Sequence, residues 1–135
     1  MLKLIHSADF HLDAPFSSLP PDLARQRRAE QRTLLTRLSQ LVQTENADLV
    51  LLSGDLLDSS QTYQETVQAL SRTLAEIHVP VFIAPGNHDF WSSRSIYAGT
   101  HWPDNVHIFS TVSVESIELP QLNCVVHGAA FTTPH

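Results

Sequence analysis

The sequence predicts an α/β domain built on a parallel sheet, and three observations lead there. Compact apolar runs that stop at polar turns alternate with longer stretches whose apolar residues recur at helical intervals. Strand, helix, strand, helix, strand in this order is the pattern of a parallel sheet with helices packed on it. The last third of the chain differs, with short apolar runs separated by turns and no helical stretch between them. Finally, each cluster of acidic, imidazole and amide side chains falls at the carboxyl end of a predicted strand. That edge is where open α/β sheets bind ligands.

Taken in order, Leu2–His6 alternates weakly and ends at a polar turn, which suits a short buried strand. From about Asp22 to Thr44 there is no Pro or Gly, and the apolar spacing predicts a helix. Asp48–Ser53 is an apolar run halted by Gly54, a second buried strand. Thr62-Tyr63-Gln64-Glu65 reads as a capping box, opening a helix with Tyr63, Val67, Leu70, Leu74 and Ile77 on one face. Val79–Ala84 is a third strand, with Pro80 near its start where a missing N–H does least harm. Val106–Phe109, Ser113–Leu119 and Asn123–His127 read as three short strands joined by turns, a β-rich second layer.

Composition narrows the function classes. The 135 residues suffice for one domain or part of one, and 42% hydrophobic content is ordinary for a globular protein. No apolar run is long enough to span a bilayer, and Met1–His6 lacks the length and cleavage site of a secretory signal. A single cysteine, Cys124, rules out an internal disulfide and suits a reducing cytoplasm. The net charge of −6 argues against broad, non-specific nucleic-acid binding. A nuclease stays compatible with it, because bound metal ions cancel acidity where phosphate docks. Five of the eight basic residues, Arg25, Arg27, Arg28, Arg32 and Arg37, lie together. At helical spacing Arg25, Arg28 and Arg32 share a face opposite Leu34, Leu38 and Leu41, the arrangement of a solvated face. The other reading of this cluster is a phosphate-tracking or partner-binding patch.

Three motifs carry the chemistry: Asp9-Phe10-His11, Gly54-Asp55-Leu56-Leu57-Asp58 and Gly86-Asn87-His88-Asp89. Asp, His and Asn together form a mixed oxygen and nitrogen donor set suited to manganese, iron or zinc. Asp9 and His11 are one residue apart, so along an extended segment they point the same way and can grip one ion. Asp55 has two oxygens and little side-chain freedom, which suits a bridge between two ions. Asn87 offers a neutral carbonyl that limits the negative charge around the metals. His88, beside the ligands, can donate a proton to a leaving alkoxide, and Asp58 can hold its other ring nitrogen. Gly54 and Gly86 allow sharp turns and close approach of the backbone. Each motif alone has an ordinary turn reading, but three in a row at three strand ends do not. His6, His78 and His107 read as core-edge or surface histidines. Phe90, Trp91, Trp102 and Phe109 read as packing residues, and Cys124 as a buried thiol. No Ser or Cys nucleophile motif, phosphate-binding Walker loop or dinucleotide fingerprint is present.

In order and spacing the three motifs resemble the calcineurin-like metallophosphoesterase superfamily, whose pattern is Asp-x-His, Gly-Asp-x-x-Asp and Gly-Asn-His-Asp/Glu. His6–Phe16 and Trp102–Ser110 further resemble bacterial DNA repair exonucleases of the SbcD and YhaO type. The resemblance implies a four-layer αββα sandwich, of which this chain is the amino-terminal part, βαβαβ followed by short strands. It implies that Asp9 and His11 hold the first of two divalent ions, Asp55 bridges, and Asn87 holds the second. His88 then contacts the scissile phosphate, with Asp58 behind it. It implies manganese, a DNA substrate cut by exonuclease or endonuclease action, a homodimer, an SMC-like coiled-coil ATPase partner of the SbcC type, and no membrane.

The superfamily pattern continues with three later histidines, two of them in Gly-His-x-His, and these 135 residues contain no such motif. Residues 1–135 are therefore expected to be the amino-terminal portion of the domain without its later ligands. The second metal site is expected to be incomplete, and turnover by the chain low. His127-Gly128 superficially matches a strand-end His-Gly, and His127 stays open between packing and ligation. Two other functions remain compatible with the residues: a phosphatase or nucleotide phosphodiesterase on the same scaffold, and a binding or assembly module without catalysis.

Overall fold

Runs of Val, Leu and Ile cannot be left in water along both faces, and in the computed structural model they pair into a sheet covered on each side. It describes residues 1–14, 16–58 and 64–135. Strands β1 (Leu4–Ser7), β2 (Leu49–Ser53), β3 (Val81–Ala84) and β4 (Val106–Ile108) form one sheet in the order β1-β2-β3-β4. All three pairings are parallel, with Ile5 opposite Val50, Leu51 opposite Phe82 and Ile83 opposite Ile108.

Helix α1 (Pro21–Glu45) starts at Pro21, where the absent N–H is harmless, and ends at Asn46 in the left-handed conformation. Helix α2 (Gln64–Ile77) buries Val67, Leu70, Leu74 and Ile77 as its spacing predicts. Thr62 and Tyr63 of the proposed capping box lie outside the described residues, while Gln64 and Glu65 open the helix. Because side chains alternate along a strand, β2 and β3 feed two cores. Val50, Leu52, Val81 and Ile83 meet Leu35, Leu38, Val42, Leu70 and Leu74 of the helices. Leu49, Leu51, Phe82 and Ala84 point to the other face, against the second sheet.

That second sheet is the hairpin of β5 (Glu115–Leu119) and β6 (Cys124–Gly128), antiparallel, turned by a short 3₁₀ segment, Pro120–Leu122, and left-handed Asn123. Ile117, Leu119, Cys124 and Val126 face inward, while Ser116, Glu118, Val125 and His127 are exposed. Helices, parallel sheet and hairpin thus give three layers, consistent with the amino-terminal part of the four-layer sandwich.

Four expectations need correction. β4 belongs to the parallel sheet and not to the second layer. Its crossover carries only the short helix α3 (Ile96–Gly99) and is anchored instead by side chains. Trp102 Nε1 donates to the Tyr97 carbonyl at 2.9 Å, and Asn105 Nδ2 donates to the Leu74 and Val79 carbonyls, each at 2.8 Å. β1 is an edge strand with Leu4 exposed, so it is not buried. The buried row of α1 is Leu35, Leu38 and Val42, while Leu41 is exposed; the apolar face is turned by about one residue from Leu34, Leu38 and Leu41. Arg32, one turn from Leu35, stays exposed at the flank of this row, whereas Arg25 and Arg27 pair on the surface with Asp22 and Glu30. Cys124 is half-buried on the inner face of the hairpin rather than enclosed.

Candidate functional site

The loops after β1, β2 and β3 meet at the carboxyl edge of the sheet. The first is stitched to the second by backbone hydrogen bonds: Asp9 N to Gly54 O at 3.0 Å, His11 N to Asp55 O at 2.9 Å, and Leu12 N to Leu56 O at 2.8 Å. Asp58 N returns one to Leu12 O at 3.1 Å. Leu12 and Leu57 are fully buried behind the stitch. The segment from Asp9 to His11 is not the extended one that the one-residue spacing predicts: Asp9, His11 and Asp55 take left-handed φ angles of 58°, 47° and 53°, and Asp9 and His11 converge through these turns. Such angles are uncommon outside glycine and cluster at functional sites, where surrounding contacts hold them.

The result is convergence. Asp9, His11 and Asp55 each bring one ligand atom within 4.8 Å of the others. His11 Nε2 lies 3.9 Å from Asp9 Oδ1, within the span of about 4.2 Å open to two donors each about 2.1 Å from one ion. Two carboxylates and an imidazole fit a divalent transition metal such as manganese, iron or zinc. Among the described residues no other acidic, His or Cys group clusters in this way.

The third loop comes in beside them. His88 N donates to Asp55 Oδ1 at 2.8 Å, and the His88 ring stands edge-on to that of His11, centroids 5.1 Å apart. Asn87 and the His88 side chain face solvent, and Asp58 is half-buried at the end of the second loop. Gly86 is required by proximity: a Cβ there would strike the Asp55 carboxylate and sit 2.8 Å from its amide nitrogen. Gly54, at φ 80°, makes the turn that presents Asp55. His127 lies on the outer face of the hairpin, its Nδ1 2.8 Å from Ser116 Oγ, and is not among the clustered ligands.

One residue to which the motif pattern gives no role organises the rest. Asp89 is buried, and its Oδ1 accepts from Gly86 N at 2.7 Å and Asp55 N at 3.0 Å. Its Oδ2 accepts from Leu56 N at 2.9 Å and from the Tyr97 hydroxyl. One carboxylate thus clips the second and third motifs together. Tyr97 is buried, and burial, then the charge of Asp89, their hydrogen bond and the charge of Asp55, raise its pKa well above the ordinary value. It therefore stays a donor. A terminal acid in Gly-Asn-His-Asp is the available signal for Asp89, whereas nothing local to Ile96–Gly99 marks Tyr97.

With this geometry in view, comparison with known proteins is direct. A family model described as calcineurin-like phosphoesterase matches residues 2–133. The chain belongs to that family. Over 123 residues it is 28% identical to the SbcD subunit of the SbcCD nuclease of Staphylococcus epidermidis, covering 88% of this chain and 31% of that protein. Over 121 residues it is 35% identical to the metallophosphoesterase YhaO of Bacillus subtilis, covering 84% and 29%. A third relative, the SbcD subunit of the same nuclease in Staphylococcus saprophyticus, is 24% identical over 123 residues. The chain spans about three tenths of the length of these relatives and matches their amino-terminal part. Membership in a phosphoesterase family is the frame for reading the site. No helix among the described residues is long and apolar enough to cross a membrane.

Proposed function

We propose that this chain carries the amino-terminal ligands of a two-metal phosphodiesterase that cuts DNA. The convergence of Asp9, His11 and Asp55 on one point at the sheet edge carries the reading. In it, Asp9 and His11 hold the first ion, Asp55 bridges, and Asn87 holds the second. Manganese suits the donor set. When bound, the ions supply an acidified water and neutralise charge at the phosphate and the leaving oxygen. His88 donates a proton to the leaving alkoxide, and Asp58 orients its ring. The bond from the His88 amide to Asp55 supports this division, since it ties the acid's loop to the bridging carboxylate.

DNA as substrate is supported by the two relatives named as nuclease subunits. Their names place them in a nuclease called SbcCD, which supports a partner of the SbcC type, an SMC-like coiled-coil ATPase. We extend the reading to a homodimer. The single cysteine is consistent with work in the cytoplasm. The test measures Mn2+-dependent cleavage of labelled DNA against phosphate release from small monoesters. It uses the chain, a longer polypeptide containing it, and Asp55→Ala in each. Cleavage of DNA that Asp55→Ala abolishes is expected. Hydrolysis of monoesters alone would replace the nuclease by a phosphatase, and metal-indifferent behaviour would leave a binding module.

A further inference from the structure

Helix α1 grips the first-motif loop on both sides of His11, and it does so with two consecutive residues. Gln31 Nε2 donates to the Phe10 carbonyl at 3.1 Å. Arg32 Nη2 donates to Asp13 Oδ1 at 3.0 Å in an ion pair. The Asp13 side chain is 0% exposed while that of Arg32 keeps 43%. A carboxylate buried that deeply needs charged hydrogen bonds, and Arg32 supplies one from outside.

On its other side the same loop is pinned to the second motif through the amides of Asp9, His11 and Leu12. Between the two sets of fastenings the backbone is strained. Asp9, His11 and Asp13 hold φ of 58°, 47° and 65°, a region that crowds a residue with a Cβ. A loop of this kind keeps its shape only where its surroundings over-determine it. Removing one set of fastenings lets the strained residues relax, and two of those residues are Asp9 and His11.

We propose that Gln31 and Arg32 are positioning residues for the metal centre. By fixing the backbone at Phe10 and Asp13, α1 sets where the His11 ring stands relative to Asp9 and Asp55. The inference rests on the metal reading of that cluster and adds a helix to it that none of the three motifs contains. It also separates Arg32 from Arg25 and Arg27. Arg25 and Arg27 are answered by Asp22 and Glu30 on the exposed face, while Arg32 serves the loop.

The experiment measures Mn2+ affinity of the full chain by calorimetry, with a melting curve for each variant. Arg32→Ala is expected to weaken binding about 10–100-fold, the usual cost of removing a group that orients a ligand. Gln31→Ala, a milder change that spares the buried pair, is expected to weaken it less. Arg32→Lys is expected to recover part of the loss, since it restores the charge without the planar fork. Val42→Ala, a cavity near the carboxyl end of the same helix, should lower Tm and leave affinity unchanged. Metal-free amide exchange at His11 and Leu12 should quicken in Arg32→Ala and not in Val42→Ala.

Unchanged Mn2+ affinity in both Arg32→Ala and Gln31→Ala overturns the inference, whatever happens to Tm. An unmodified chain that binds no Mn2+ overturns the metal reading and, with it, the ligand-positioning claim. The exchange contrast then still reports on the grip, and unchanged rates at His11 and Leu12 overturn that as well.

Discussion

At the carboxyl edge of the sheet, Asp9, His11, Asp13 and Asp55 all hold left-handed backbone angles, and Asp89 is buried among backbone amides. The β5–β6 hairpin is the opposite, two extended strands whose residues alternate inward and outward. In the hairpin, order comes from apolar burial of Ile117, Leu119, Cys124 and Val126 against Phe82 and Phe109, and the outer positions are exposed. At the edge, apolar burial alone cannot hold the shape, because the favoured backbone geometry is a different one. Directional bonds must do it. The edge should therefore fail when a polar group is removed, and the hairpin when its packing is disturbed.

Asp89→Ala tests this contrast hardest. It leaves the amides of Asp55, Leu56 and Gly86 and the Tyr97 hydroxyl without their acceptor. We expect a loss of at least about 3 kcal/mol in urea unfolding, since hydrogen bonds to a charged group contribute roughly 1.5–3 kcal/mol each. A loss below about 1 kcal/mol would show that the edge is held by packing after all.

A matched pair of glycine substitutions comes next. In Gly86→Ala the new methyl strikes the Asp55 carboxylate, and in Gly128→Ala it strikes the Phe109 ring. Both should cost about 1–3 kcal/mol by overpacking. Only Gly86→Ala should abolish Mn2+ binding in calorimetry. Equal loss of binding in Gly128→Ala would show that the two regions are not independent.

Tyr97→Phe should cost about 1.5 kcal/mol, the low end for a hydrogen bond to a charged group because Asp89 keeps its backbone donors, and has a pH signature. The folded pKa of Tyr97 lies above its unfolded value near 10. Above about pH 10 the unfolded chain gives up this proton while the folded chain keeps it. The contribution is therefore complete below about pH 10 and is lost as pH rises through the folded pKa. Melting temperatures from about pH 9 to 11 should fall less steeply in Tyr97→Phe than in the unmodified chain. The smallest effect belongs to the outer hairpin face, where Ser116→Ala should stay within about 0.5 kcal/mol and leave Mn2+ affinity unchanged.

Much of the fold is legible along the chain. Val67, Leu70, Leu74 and Ile77 follow the helical period and are buried, and Val81–Ala84 forms a strand as its composition predicts. The place of β4 is not legible, because its crossover carries only a four-residue helix and no amphipathic signal announces a parallel return. The inward face of α1 is equally hidden, because Leu34, Leu35, Leu38, Leu41 and Val42 nearly encircle one side. Spacing alone does not choose which of them turns inward.

The residue types at the sheet edge, and the strand endings that bring them there, are written along the chain. Both are short-range properties, set by the apolar pattern and by glycines at turns. How that edge is held is settled by packing in three dimensions. Asp89 and Asp55 are 34 positions apart, and Arg32 and Asp13 are 19 apart. Bonds between such residues exist only once helices and strands have packed, since no local pattern encodes which distant groups will be buried side by side. The cluster of Asp9, His11 and Asp55 is thus a property of the motifs, and its rigidity a property of the residues around them.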